Sequence, residues 1–285
     1  MRLLPFTLIL GVISLSFCAQ KEASAPAVQV INNPPSSSSP ITTNSDTSKK
    51  LVWADEFDKG TRPDTNKWTY NIGNGAGGWG NNEQQYYTND STNARIENGK
   101  LIIEARKENK GGKFYTSARM LTQGKASWTY GTIEVRAKLP KGMGTWPAIW
   151  MLGDNINTVG WPTCGEIDIM EHVGKEQGII NWSAHSKMLN WPMGTQRTNK
   201  FYIDSVSDNF HSYKLNWTKD YLQFYVDNTL CYTVSNEGKG SDYFPFIANQ
   251  FLILNLAIGG NMAGSIIDET MFPIRMEVDY VRVYQ

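Results

Sequence analysis

The sequence predicts an all-β fold of the sandwich or jelly-roll type. Short strand-like runs recur at 100–106, 115–121, 126–138, 146–152, 165–173, 180–186, 210–218, 221–226, 230–235, 251–259 and 276–284, punctuated by Gly, Asn, Asp or Pro. None of them shows a helical period. The run from Phe251 to Ile258 is almost continuously apolar, which suits a strand covered on both faces. No internal repeat is present.

Three segments follow one another along the chain. Residues 1–18 place Arg2 before an apolar run from Leu3 to Phe17, too short to span a membrane and typical of a secretory signal. The run ends Leu15-Ser16-Phe17-Cys18, like a bacterial lipoprotein signal in which Cys18 receives lipid. Phe17 departs from the small residue usual before that cysteine, so a lipid anchor and simple secretion both stay open. The expected location is outside the cell or on a bacterial outer membrane or surface. Residues 19–50 are rich in Ser, Pro, Thr and Asn and read as a disordered tether. Residues 51–285 form the expected single domain, opening on Leu51-Val52-Trp53-Ala54-Asp55-Glu56-Phe57.

A long loop follows from Asn71 to Asn82, with glycines on either side of Trp79. Such a loop lets backbone approach a ligand, or is simply a flexible turn. It contains no phosphate-loop pattern. Asn98-Gly99 signals a tight turn before the strand that begins at Lys100.

Composition narrows the function. The 285 residues carry 27 Lys plus Arg against 27 Asp plus Glu, and this neutrality argues against a nucleic-acid partner. All 10 Trp lie after residue 50, a surplus that suits stacking on sugar faces as well as core packing. The 3 cysteines make no disulfide framework. Cys18 belongs to the leader, and Cys164 and Cys231 read as buried free thiols.

The stretch Gly165-Glu166-Ile167-Asp168-Ile169-Met170-Glu171-His172-Val173 carries the chemistry. Period-two alternation sends Glu166 and Asp168 to one face and Ile167 and Ile169 to the other. Strict alternation would send Glu171 to the apolar side. A β-bulge at Ile169-Met170 would return it to the acidic face. The competing reading is an edge strand protected by charge. Two features favour a site: no Lys or Arg is interleaved, and Trp-rich segments flank the strand. Crowded carboxyls cannot all ionise, so at least one pKa should rise. A raised acid beside an ionised carboxylate is what glycoside hydrolysis requires. His172 follows Glu171 but should point away from it. His185 in Ala184-His185-Ser186 is the better site histidine, with a core role as the alternative.

Several motifs together resemble glycoside hydrolase family 16, in its laminarinase (endo-β-1,3-glucanase) branch. They are Trp79-Gly80-Asn81-Asn82-Glu83-Gln84-Gln85-Tyr86-Tyr87, Gly142 to Met151 (GMGTWPAIWM), Trp161 to Glu171 (WPTCGEIDIME), Asn255 to Asn261 (NLAIGGN) and Val278 to Tyr284 (VDYVRVY). The resemblance covers about residues 51–285. It implies two curved antiparallel sheets with an open concave cleft for β-glucan, and a retaining mechanism. Glu166 would be the nucleophile, Glu171 the acid/base and Asp168 a partner that helps set the nucleophile's ionisation. Trp146, Trp150, Trp161 and Trp79 match cleft aromatics, and His185, Arg119, Asn74 and Asn261 are expected to bind substrate. Met262 stands where the family often has Trp. The resemblance further implies a structural calcium at Glu56, Gly99 and Asp279, no organic cofactor and a monomer. Mixed-linkage glucan or galactan hydrolysis, and a non-catalytic glycan-binding protein, are the alternatives.

Overall fold

The structure is a computed structural model describing residues 49–285, so the expected signal and nearly all of the expected tether lie outside the described residues. In chain order the strands are β1 (Leu51–Asp55), β2 (Thr69–Tyr70), β3 (Gln85–Tyr87), β4 (Ala94–Glu97), β5 (Lys100–Lys110), β6 (Lys113–Ser117), β7 (Arg119–Leu121), β8 (Gly131–Lys138), β9 (Thr145–Gly153), β10 (Glu166–His172), β11 (Ile179–His185), β12 (Arg197–Tyr202), β13 (His211–Trp217), β14 (Tyr221–Val226), β15 (Thr229–Ser235), β16 (Gln250–Ile258) and β17 (Ile274–Tyr284). The described α-helices, α1 (Ile156–Val159) and α2 (Gly260–Ala263), are single turns.

The strands form the two sheets of a jelly-roll sandwich. One sheet has the order β15-β14-β13-β8-β17-β5-β6-β3, with β1 also on β17 and β4 on β5. The other has the order β12-β11-β10-β9-β16-β7-β2. Only β3 with β6 pairs in parallel among the described pairs. The core fills the space between the sheets. Ile133 and Val135 of β8 and Val281 and Val283 of β17 meet Ile167 and Ile169 of β10 and Leu252 and Leu254 of β16. β8 alternates buried and half-buried residues along its length, as a strand with one solvated face should. β16 is buried at every position, as its apolar run predicts.

The strands depart from the sequence pattern at several points, and β1 to β4 all lie before the first expected run. The run 115–121 is not one strand: it breaks at Ala118 into β6 and β7, which belong to different sheets. The run 126–138 becomes a strand only at Gly131, after Tyr130 takes a positive φ of 66°. β12 was not expected, because Arg197-Thr198-Asn199-Lys200-Phe201-Tyr202 is an edge strand with no buried residue to mark a period. The turn expectation at Asn98-Gly99 holds: both residues have positive φ, and Glu97 pairs with Lys100 across a two-residue hairpin.

The tryptophans divide between two jobs. Trp68, Trp128, Trp182 and Trp217 are core residues, and truncating such a side chain typically costs about 3–5 kcal/mol. Trp146 and Trp150 of β9 and Trp161 of the following loop reach the carboxyl-bearing face, where their indole N–H groups find the partners described below. Cys164 is buried and Cys231 half-buried, and both are free. The expectation of two buried thiols therefore holds only for Cys164.

Candidate active site

β10 lies inside its sheet between β9 and β11, and the bulge is present in both ladders. Against β9, Asp168 faces Trp150 and Met170 faces Ile149, so Ile169 has no opposite number. Against β11, Asp168 faces Ser183 and Glu171 faces Asn181, so Ile169 and Met170 together oppose Trp182. Ile167, Ile169 and Met170 all enter the core. The bulge thus buries two consecutive apolar side chains and returns Glu171 to the face of Glu166 and Asp168. His172 points into the interior, where its Nε2 accepts from Gly178 N at 3.3 Å and burial pushes its pKa down to about 4. It is no part of the carboxyl cluster, as expected.

Each glutamate receives one indole N–H. Trp161 Nε1 donates to Glu166 Oε2 at 3.0 Å, and Trp146 Nε1 donates to Glu171 Oε1 at 3.0 Å. His185 lies opposite Glu166 in the ladder. Its Nε2 is 3.3 Å from Asp168 Oδ2 and 3.6 Å from Glu166 Oε1. Its ring also contacts Trp161, with centroids 5.9 Å apart.

Burial and mutual repulsion act on this cluster in one direction. The Glu166 pKa is pushed up first by desolvation and then by Asp168, against the lowering effects of His185, Trp161 and Arg119. Glu171 is pushed up further, by desolvation and then by Asp168 and Glu166, against Trp146 and His185. Desolvation opposes charge on His185, but Asp168 and the two glutamates outweigh it and bring its pKa up to about 9. Trp191 N also approaches His185 Nδ1 at 3.3 Å, a contact that suits the neutral ring. That bond is long, and the field of three carboxyls is the larger influence. The cluster thus combines adjacent acids of unequal proton affinity with a cation that balances their charge. Glu166, Asp168 and His185 could also hold a metal ion, since one ligand atom from each lies within 4.8 Å of the others.

Of the remaining expected residues, Arg119 and Trp150 lie on strands of the same sheet, Asn74 and Trp79 in the glycine-rich loop and Asn261 in α2. Arg119 on β7 pairs with Asn255 on β16, and its guanidinium lies between the rings of Trp79 and Trp150, at 4.8 and 4.6 Å. Trp150 Nε1 donates to Asn255 Oδ1 at 2.7 Å. Asn74 sits in the glycine-rich loop beside Gly73, which bridges to Tyr87. That loop needs its glycines: a Cβ on Gly75 would lie 2.6 Å from the Trp79 ring, and one on Gly78 would lie 2.4 Å from Glu83 N. Asn261, in α2, accepts from Asn82 Nδ2 at 2.8 Å and so ties down the far end of the loop. Met262 packs with Trp146, Val173, Ala257 and Ala263.

Sequence reasoning missed two groups. Trp191 is 60% exposed, with its backbone against His185, and sits in a short loop that no periodic pattern marks. Glu83 and Tyr87 are buried polar residues behind Trp79. The motif around them was visible, but nothing in it separated buried from exposed positions.

The calcium expectation can be tested against the ladders. β17 breaks register between Val278 and Tyr280, so Asp279 lies at the break, with Val278 opposite Leu101 of β5 and Val281 opposite Asp55 of β1. Gly99 and Glu56 adjoin those partners, so the set converges on one edge. Its side-chain oxygens already have cationic partners. Arg282 Nε and Nη2 hold the two Glu56 oxygens at 2.9 Å each, and Arg136 pairs with Asp279. The fit therefore rests on backbone oxygens of Glu56 and Gly99, with Asp279 shared with Arg136.

Comparison with known proteins agrees with this geometry. Residues 81–282 match the model of glycosyl hydrolases family 16. A β-glucanase from Rhodothermus marinus is 47% identical over 246 residues, covering 83% of this chain and 85% of the relative. The crystal structure of the laminarinase from Rhodothermus marinus superposes with a TM-score of 0.80 at 45% identity, covering 83% of this chain and 97% of that one. A non-specific endo-β-1,3(4)-glucanase of family 16, co-crystallised with a glucose-based oligosaccharide, superposes with a TM-score of 0.81 at 45% identity, covering 84% and 95%. The chain belongs to glycosyl hydrolase family 16.

Proposed function

We propose that this family 16 chain is a retaining endo-β-1,3-glucanase acting on laminarin-like glucans. The observation that carries the reading is the bulged strand, with three carboxyls on one face and an indole N–H on each glutamate. In the first step Glu166, ionised, attacks the anomeric carbon while Glu171, protonated, gives its proton to the leaving oxygen. The glycosidic bond breaks and a glycosyl ester on Glu166 forms. In the second step Glu171, now a carboxylate, takes a proton from water. The resulting nucleophile displaces Glu166, and both residues return to their starting states. His185 offsets the charge of the carboxyl cluster and, with Asp168, steadies Glu166 as its charge comes and goes. Trp146, Trp150, Trp161 and Trp79 supply apolar faces for sugar rings, and Arg119, Asn74 and Asn261 supply hydroxyl partners.

The β-glucanase and the laminarinase, at 47% and 45% identity, support glucan over galactan as substrate, against a keratan-sulfate endo-1,4-β-galactosidase at 33%. The test is a timed digestion of laminarin, lichenan and agarose, following reducing ends and product sizes. Rapid release of mixed oligosaccharides from laminarin is expected, with slower release from lichenan and none from agarose. No release from laminarin would refute the reading.

Three further properties belong to the same proposal. The chain is exported by residues 1–18 and carries lipid on Cys18, with 19–50 as a tether between a bacterial surface and a polymer substrate. Radiolabelled palmitate should enter the wild type and not Cys18→Ser. Calcium at Glu56, Gly99 and Asp279 would cross-link β1, β5 and β17 far from the carboxyls. The protein acts as a monomer, which light scattering of the purified enzyme would check.

A further inference from the structure

Behind the Trp79–Arg119–Trp150 stack lies a chain of buried polar groups that the reaction itself does not use. Trp150 Nε1 donates to Asn255 Oδ1 at 2.7 Å, Asn255 Nδ2 donates to Tyr87 Oη at 3.1 Å, and Tyr87 Oη donates to Glu83 Oε2 at 3.0 Å. A second chain reaches the same oxygen: Ile258 N donates to Gln85 Oε1 at 2.7 Å, and Gln85 Nε2 donates to Glu83 Oε2 at 2.6 Å. Glu83, Gln85, Tyr87 and Asn255 are all buried, at 5%, 0%, 0% and 6% exposure.

The direction of both chains is forced. An indole N–H and a backbone N–H can only donate. Asn255 must therefore turn its oxygen to Trp150 and its NH2 to Tyr87, and the Tyr87 proton is left to point at Glu83. Gln85 is fixed by the same logic from Ile258. Two donor chains thus converge on one oxygen, which must accept from both. Without an acceptor there, the Tyr87 and Gln85 donors would be orphaned in the interior.

The chains end at elements that shape the open face. Trp150 is one wall of the Arg119 stack. The Tyr87 ring contacts Trp79, the other wall, with centroids 5.8 Å apart. Trp79 itself is held at φ 57°, a left-handed conformation that is strained for a bulky residue and persists only where its surroundings enforce it. Glu83 is also one of the anions that offset the buried charge of Arg119.

We propose that Glu83 is a positioning residue for substrate binding: through Tyr87 and Asn255 it sets the pose of Trp150 and Trp79 around Arg119. It touches neither the reacting atoms nor the sugar. The inference rests on the proposed glucanase reading for its substrate, but the relay can also be read without turnover.

The experiment uses the full chain with Glu83→Met, Glu83→Gln, Tyr87→Phe and the Glu83→Met/Tyr87→Phe double variant, assayed on a β-1,3-linked glucose oligosaccharide. Losing one buried acceptor should raise KM about tenfold in Glu83→Met and in Tyr87→Phe, with kcat changing no more than about twofold. The double variant should be no worse than the worse single one, because both break one relay. Glu83→Gln keeps an acceptor oxygen and should restore KM to within about threefold of wild type. Near-UV circular dichroism and indole fluorescence should change in the two relay-breaking variants and not in Glu83→Gln. Additive single effects, a fall in kcat at constant KM, or a Glu83→Gln variant as impaired as Glu83→Met would overturn the proposal. A wild type that leaves the oligosaccharide intact would sink the glucanase reading. The indole spectra would then decide the relay alone: unchanged spectra in Glu83→Met and Tyr87→Phe would overturn it.

Discussion

Glu166→Asp isolates reach from charge. The substitution keeps a carboxylate on the same bulged strand but removes one methylene, withdrawing the oxygens by about 1.5 Å, one C–C bond. Trp161 Nε1 donates to Glu166 Oε2 at 3.0 Å, so a withdrawn oxygen leaves hydrogen-bond range, and the 3.6 Å approach of His185 lengthens as well. Retaining chemistry needs the two carboxyls about 5–5.5 Å apart, and a 1.5 Å retreat moves the pair toward the wider spacing that accommodates a water instead. Displacing a reacting group by about 1 Å can cost on the order of 100-fold, so kcat on laminarin should fall by about 100- to 1,000-fold with KM little changed. Desolvation and the charge of Asp168 outweigh the favourable contacts of Glu166 with His185 and Trp161, so withdrawing its carboxylate should cost the fold little. Reducing-end release gives kcat, and a thermal melt shows the fold intact. Turnover within about tenfold of wild type, in a protein with an unchanged melt, would refute the assignment of Glu166 as nucleophile.

Activity requires Glu166 ionised and Glu171 protonated, so it is lost as pH falls through the first pKa and as it rises through the second. Both are raised, so both limbs of the kcat/KM profile should lie above the ordinary carboxyl value of 4.5. Trp161→Phe removes a bond that favours ionised Glu166 and should move the acid limb up, whereas Trp146→Phe should move the alkaline limb up; a shift of the opposite limb in each would reverse the role assignment. Glu171→Gln should abolish turnover and raise the melting temperature. The folded pKa of Glu171 is raised, so wild-type stability is full below its unfolded pKa and declines as pH rises toward the folded one. The gain should therefore appear at neutral pH and vanish near pH 4, and equal melts at pH 7 would refute the desolvation argument. Chelator should lower the wild-type melting temperature if calcium bridges β1, β5 and β17, and an unchanged melt would remove that site.

Much of the fold was legible because its physics is local. The continuous apolar run of β16 required cover on both faces, and Asn98-Gly99 required a hairpin. The bulge was legible too, since Glu171 sits on the wrong parity and only one inserted residue corrects it. The ladders add what pattern could not: Ile169 is skipped on the β9 side, whereas Ile169 and Met170 together face Trp182 on the β11 side. What failed was pattern without a period. β12 is an edge strand with no buried position, and Ala118 gives no sign that β6 and β7 part to different sheets.

The site divides along the same line. Glu166, Asp168 and Glu171 are neighbours in sequence, so their meeting follows from strand geometry. The Arg119 stack joins residues 79, 119 and 150 through three separate elements, and no spacing rule reaches that far. Glu83 is the extreme case. In sequence it is one acid in a polar run, Asn81-Asn82-Glu83-Gln84-Gln85, where nothing separates buried from exposed positions. Its burial becomes intelligible only when two obligate donors, the Trp150 indole and the Ile258 amide, are traced to it from distant strands. A carboxyl that nothing local requires, held at 5% exposure by donors from elsewhere, is specified by the assembled face and not by its own segment. For that reason its replacement should be felt at the sugar-binding rings before it is felt at the reacting bond.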